Sequence, residues 1–397
     1  MPSADGMATR QMLTLLSVAG FSGVITTRLC DAMLPALVQA FSVSIKEASI
    51  VISAFAVAYG LMQLVYGPLG DRYGKPRVIA IATACCGLAS LAAAAAPTLQ
   101  ALTLARIAIG ASAAAIVPLA LAWIGDTVPM AQRQVVLARY SSATVSGIML
   151  GAWAGGFLTQ MLNWRATFLV FVPLYATVAI ILWRRVQASG PAPVAPAESL
   201  PYRQQLAEML RTPWAQVVLG GVFLEALFTF GFLAFLPTVL HNQFDMQPSY
   251  GGGVLALFGL GGLAFSRVAP LLLRRITPVV QARTGGVLLA LGYAMLVWMP
   301  HWAWAIGGCL FAGFGFYTLH NTMQFSATQL SVKSRGMGVT VFACFLFIGQ
   351  SVGVILAAQI FVHWGPTWGF AIPGVALSLI GLTFAQQLRK REALNPH

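Results

Sequence analysis

The chain has 397 residues, 58% of them apolar and 8% charged, and its 23 Lys and Arg against 10 Asp and Glu give a formal charge of +13. Soluble domains carry about a quarter charged residues, so this composition and a mean hydropathy of +0.79 exclude a purely water-soluble chain. The five cysteines all lie in apolar stretches, in a number and spacing that match neither a secreted disulfide framework nor a zinc site.

Apolar runs long enough to cross a bilayer as helices recur at about 12–38, 46–68, 77–97, 99–125, 135–159 and 164–184, then at about 214–240, 248–272, 282–300, 302–330, 336–362 and 367–388. The expected fold is an all-α membrane protein of twelve transmembrane helices. The first run is too long for a cleavable signal and carries Arg28 and Asp31, so it is expected to remain as a helix. Those two residues are three apart and share a helix face. Pro35 cannot donate to the Asp31 carbonyl, which predicts a kink there.

After the second run comes the loop GPLGDRYGKPRV, Gly67 to Val78. Its glycines permit a tight turn and close helix approach, and Asp71 can satisfy a helix N-terminus or an arginine. With Gly67, Leu69, Gly70, Asp71, Arg72, Gly74 and Lys75 in place, and Pro76 where a basic residue is usual, the loop resembles the signature of the major facilitator superfamily. Leu102, Arg106 and Gly110 in the fourth run match a second pattern of that family. The fifth holds Gly147, Gly151, Gly155 and Gly156, similar to the glycine pattern of antiporters, with Ala152 where that pattern has proline. Close packing through small surfaces explains the same glycines without any transport role. Asp31 and Pro35 resemble the acid and proline in the first helix of some multidrug:proton antiporters. The resemblance implies two six-helix pseudo-repeats around a central cavity, with residues 1–184 and 214–397 as the bundles and 185–213 as a cytoplasmic linker.

Residues 185–213, rich in Pro, Ala and charge, form the only long polar interruption. An ungapped shift of 202 pairs Pro35 with Pro237, Pro68 with Pro270, Arg72 with Arg274, Arg133 with Arg335, Gly147 with Gly349, Gly151 with Gly353 and Phe168 with Phe370. Like-oriented repeats of this kind are related by a pseudo-two-fold axis along the membrane normal. Nineteen basic residues, from Arg10 to Arg391, fall on the side of the N-terminus, and only Lys46 and Arg165 fall opposite. The positive-inside rule therefore places both termini in the cytoplasm of a bacterial inner membrane, and the net charge reflects topology, not nucleic-acid binding.

Arg28, Asp31, Arg106 and Glu225 lie well inside the runs. A central charge costs about 3 kcal/mol on insertion scales, so a cavity or an ion pair is expected for each. At 1.5 Å per residue, Asp31 and Arg106 each fall about 9 Å outside the midplane, and Glu225 lies near the depth of His320. Asp31 is expected to pair with Arg28, Arg106 or both. Glu225, His320, Asn321 and Gln324 form a second expected polar site, although a buried histidine often only bonds across helices. Arg72 is expected to pair with Asp126 in a cytoplasmic latch between the halves.

Together these features predict a proton-coupled efflux transporter, with Glu225 the leading proton carrier and Asp31 the other candidate. Uptake or facilitated diffusion of an anionic metabolite through Arg28 and Arg106 is the alternative within transport, and a receptor or scaffold the alternative outside it. Neither a zinc-protease nor a nucleophile-elbow motif occurs, so no enzyme is expected. Nor is a cofactor or metal. The expected partners are a small-molecule substrate, protons and the lipid bilayer, not nucleic acid, with the chain acting as a monomer.

Overall fold

A computed structural model describes residues 4–188, 202–272, 275–330 and 335–394, with no strand among them. Residues 189–201 of the expected linker, together with Arg274 and Lys333, lie outside the described residues, as do the side chains of Arg203 and Arg335. The first transmembrane span is built from α1 (Ala4–Ile25) and α2 (Leu34–Phe41), and the second from α3 (Ile45–Ala48) and α4 (Ile50–Tyr73). The third is α5 (Lys75–Ala94), the fourth α6 (Leu99–Ala113) with α7 (Ile116–Thr127), the fifth α8 (Met130–Met161) and the sixth α9 (Trp164–Ala188). A separate helix, α10 (Tyr202–Arg211), precedes α11 (Pro213–Leu233) and α12 (Leu236–Phe244), which make the seventh span. α13 (Pro248–Leu272), α14 (Pro278–Val297) and α15 (Trp304–Ala327) follow. The final element, α16 (Arg335–Leu394), holds two spans that turn at Gly365, whose φ of 76° is open to glycine alone at little strain, just before Pro366.

The expected kink at Pro35 is a longer interruption. Residues between α1 and α2 leave the α-helix, with i→i−3 bonds from Thr27, Asp31 and Met33 to Val24, Arg28 and Cys30. The hydroxyls of Thr26 and Thr27 bond back to the carbonyls of Gly23 and Val24 at 3.1 and 2.6 Å, competing with the helix ladder. Pro35 then sits in the first turn of α2, where its fixed φ and missing N–H suit a helix start. Pro237 opens α12 the same way. Leu34 and Leu236, the first residues of α2 and α12, are themselves 202 apart.

That repeat holds at the level of packing. A Cβ on Gly147 would meet the Phe21 carbonyl and one on Gly151 the Ile25 carbonyl, so α8 lies backbone to backbone against α1. In the second half, Gly349 meets Phe223 and Gly353 meets Leu227, the same two contacts displaced by 202 on both partners. The two bundles then touch along α8 with α13 and along α16 with α4, each contact the pseudo-symmetric image of the other. Leucines and isoleucines such as Leu88, Leu104, Leu260 and Ile355 are exposed on the outside, as a lipid-facing belt requires.

Candidate functional site

Between the bundles lies a cavity of about 820 Å³, walled by α1, α4 and α8 from one half and α11, α13, α15 and α16 from the other. Its mouth is on the face that carries the termini, where Ser141, Ser266 and Arg267 are exposed. The opposite end is shut. Gln160 Nε2 donates to Gln247 Oε1 at 2.7 Å, the Ser249 amide donates to Gln160 Oε1 at 3.3 Å, and Gly156 lies against the Pro248 carbonyl. On the other side Ser351 Oγ donates to the Ser53 carbonyl at 2.9 Å, and the rings of Tyr59 and Phe347 stand 4.2 Å apart.

Arg28 and His320 both line this cavity, one from each half. Behind each is a fully buried carboxylate. Arg28 Nη1 donates to Asp31 Oδ2 at 3.2 Å, and His320 Nδ1 is hydrogen-bonded to Glu225 Oε2 at 2.8 Å. The other oxygens, Asp31 Oδ1 and Glu225 Oε1, have no hydrogen-bond partner. Both pairs match the expected ones, but the carboxylates stand one layer back from the cavity surface. Contacts run from one pair to the other. The Arg28 guanidinium lies 4.2 Å from the centroid of Phe230, Phe230 is 4.7 Å from Phe316, and Phe316 stacks on His320 at 4.7 Å. Asn321 and Gln324 complete the polar wall.

Arg106, expected in the cavity and beside Asp31, is not among the lining residues. It is fully buried, with Nε donating to the Val51 carbonyl at 3.2 Å and Nη1 to the Thr26 carbonyl at 3.1 Å, over the ring of Phe55. Thr26 lies in the interrupted segment, where helical hydrogen bonding is lost, so Arg106 braces that break against α4. Its place in the site is structural support.

The signature loop also departs from expectation. Lys75, not Arg72, reaches Asp126: its Nζ lies 2.9 Å from Asp126 Oδ2 and 2.9 Å from Asp71 Oδ1. Arg72 instead lies over the ring of Tyr73. Lys75 opens α5 immediately after Gly74, whose φ of 86° turns the chain sharply, and this swings the lysine toward α7 while Arg72 stays on α4. All three members of the cluster belong to the first half. Gly70 packs on Leu119, whereas Gly67 faces open space.

Gln350 and Tyr59 also line the cavity; neither is among the residues expected there, because an amide and a phenol in apolar helices carry no periodic signal. Gln350 is 2% exposed and its Nε2 has no partner.

Residues 16–339 match the family model described as Major Facilitator Superfamily. The chain is 25% identical to the uncharacterized MFS-type transporter YceJ of Bacillus subtilis, over 92% of this chain and 93% of that one. It is 31% identical to the lincomycin resistance protein of Streptomyces lincolnensis over 42% of this chain and 35% of that one. The fold is similar to the crystal structure of a bacterial homologue of the human lysosomal transporter Spinster in an inward-facing and unoccupied conformation, with a TM-score of 0.75, 17% identity and 98% of each chain covered.

Proposed function

The chain belongs to the major facilitator superfamily of membrane transporters, and from that premise we propose that it expels a small organic solute in exchange for protons by alternating access. The observation that carries this reading is the cavity between the two halves, open at one face and shut at the other, with a buried carboxylate behind each of its two polar walls. A carboxylate that passes between wet and dry surroundings changes its proton affinity by several units, which is what coupling to a proton gradient needs. Similarity of part of the chain to a lincomycin resistance protein supports efflux over uptake.

The bundles are residues 1–184 and 214–397, joined by the linker 185–213, and the chain works as a monomer. The excess of Lys and Arg on the face of the termini supports a bacterial inner-membrane location with that face in the cytoplasm, so the conformation described is open inward. Glu225 is the leading proton carrier, since its one hydrogen-bond partner is a histidine from another helix and its second oxygen is unpartnered, while Asp31 is ion-paired with Arg28. Asp71, Lys75 and Asp126 form the cytoplasmic gating cluster. Uptake of an anionic metabolite is the weaker reading, because Arg106 is committed to backbone carbonyls and Arg28 to Asp31.

The test is a solute screen in proteoliposomes with and without an imposed pH gradient. Solute movement driven by the gradient is expected. Counterflow that ignores the gradient would make the protein a uniporter, and loss of both would end the transport reading.

A further inference from the structure

Charge and surface chemistry of the cavity together limit what it can hold. Its walls carry a cluster of rings in mutual contact: Phe230 with Phe258 at 5.6 Å, Phe258 with Phe316 at 5.6 Å, and Phe316 with Tyr317 at 5.4 Å. Such rings offer faces and edges on which a planar aromatic molecule stacks in offset or edge-on geometry. Arg28 is the one arginine in the depth of the cavity among the described residues, and both its charge and its flat face are taken, by Asp31 and Phe230. Arg267 stands at the exposed mouth. An anionic solute would therefore find no free counter-charge in the depth of the cavity, and a cationic one could not touch Asp31 or Glu225, which are fully buried behind its surface; burying an uncompensated charge is strongly unfavourable.

One polar group does point to a ligand. Gln350 lines the cavity from α16, is 2% exposed, and leaves its Nε2 without an acceptor. A buried amide donor left without an acceptor is unfavourable, and a solute oxygen or ring nitrogen would relieve that.

We infer that this cavity selects uncharged aromatic solutes carrying a hydrogen-bond acceptor, which stack on the Phe230, Phe258 and Phe316 cluster and accept a hydrogen bond from Gln350. The inference rests on the transport reading of the same cavity, but it is tested by binding alone. The probes are four naphthalenes that differ in one substituent: methyl, acetyl, trimethylammonium and carboxylate. Their affinity for the purified protein in nanodiscs is measured by equilibrium dialysis. The acetyl compound should bind at least tenfold more tightly than either charged one. Gln350→Leu should weaken the acetyl compound about three- to tenfold, the factor of one neutral hydrogen bond, and leave the methyl compound unchanged. Phe316→Leu should weaken both. Each variant's thermal melting and gel-filtration profile are recorded, and Gln350→Met supplies a second variant of similar size with no N–H donor, which should also lose preference for the acetyl compound.

Tighter binding of the cation or the anion would overturn the inference, as would binding of none of the four, or an equal effect of Gln350→Leu on the acetyl and methyl compounds. Binding in the expected order without gradient-driven movement would leave the inference standing and sink the proposed transport mechanism.

Discussion

Arg28 and Phe230 are 202 residues apart, the same offset that relates the two halves, and the guanidinium of one lies 4.2 Å from the ring centroid of the other. Two residues that are images of each other under a pseudo-two-fold axis can touch only on that axis. Arg28 and Phe230 therefore mark the centre of the molecule, where the halves must part when the far face opens. A desolvated cation–π contact is worth about 2 kcal/mol, enough to shift the balance between conformations. Phe230→Leu keeps apolar bulk and removes the ring, so it should raise the outward-open population. Spin labels at Leu162 and Tyr250, both exposed at the shut end, read this as longer distances. An unchanged distance distribution would show that the contact does not hold the halves together.

The packing glycines give a matched pair of predictions. Gly151→Ala and Gly353→Ala each drive a Cβ into a backbone carbonyl, of Ile25 and Leu227 respectively. Overpacking of this kind costs about 1–3 kcal/mol, and the two variants should lower the melting temperature by similar amounts. Gly220→Ala, where nothing lies within 4 Å, should be neutral or mildly stabilising. Unequal losses at Gly151 and Gly353 would mean that the two contacts, equivalent in geometry, are not equivalent in energy.

In the Asp71, Lys75 and Asp126 cluster, Lys75 takes the place expected for Arg72. A double-mutant cycle on transport rate should find coupling between Lys75 and Asp126 and none between Arg72 and Asp126. The effect on stability should stay below about 1 kcal/mol, because the Asp126 side chain is 62% exposed. Coupling that appears only with Arg72 would indicate that the pair changes partners in the other conformation.

Much of this was legible in the sequence, for identifiable reasons. Apolar runs of span length and the signature loop carry the number of crossings and the family. The prolines at 35 and 237 marked both breaks in the first spans of the two halves, and the rarity of acids in apolar helices led directly to Asp31 and Glu225. What a sequence cannot convey here is the rotation of each helix. In a span that is apolar all round, periodicity does not distinguish an inward face from a sideways one. Thus Arg106 was expected in the cavity, but its side chain runs across to α4 and the break in the first span. Gln350 is hidden in the sequence for the same reason. The choice between Arg72 and Lys75 turned on the backbone at Gly74, a turn geometry that the glycine permits without specifying its direction.

Arg106 makes a prediction of its own. Its two donors hold carbonyls of α4 and of the interrupted segment together, so Arg106→Met removes both of these bonds. Hydrogen bonds from a charged donor contribute about 1.5–3 kcal/mol each, and the variant should melt at a lower temperature. Arg106→Lys retains charge but lacks the fork that reaches both carbonyls, and should recover only part of the loss. If Arg106→Met instead kept full stability and lost solute binding, Arg106 would belong to the binding surface after all.

The sharpest test of proton coupling separates the two buried carboxylates. Glu225 and His320 come from α11 and α15 and meet at 2.8 Å, with Glu225 Oε1 left unpartnered. Glu225→Gln preserves the shape of the side chain and its capacity to hydrogen-bond His320 while removing titration. Gradient-driven solute movement should therefore fall to the level of empty liposomes, with solute binding and counterflow retained. Asp31→Asn removes the counter-charge of Arg28, leaves a buried guanidinium uncompensated, and should damage folding or binding before it alters coupling, since breaking a buried ion pair on one side costs about 3–5 kcal/mol. The two variants thus predict opposite patterns: uncoupled but intact for Glu225→Gln, destabilised but still gradient-responsive in the surviving fraction for Asp31→Asn. Full gradient-driven transport by Glu225→Gln, together with its loss in a well-folded Asp31→Asn, would move the proton route to the first half of the molecule and leave the Glu225–His320 pair a structural bond between two helices.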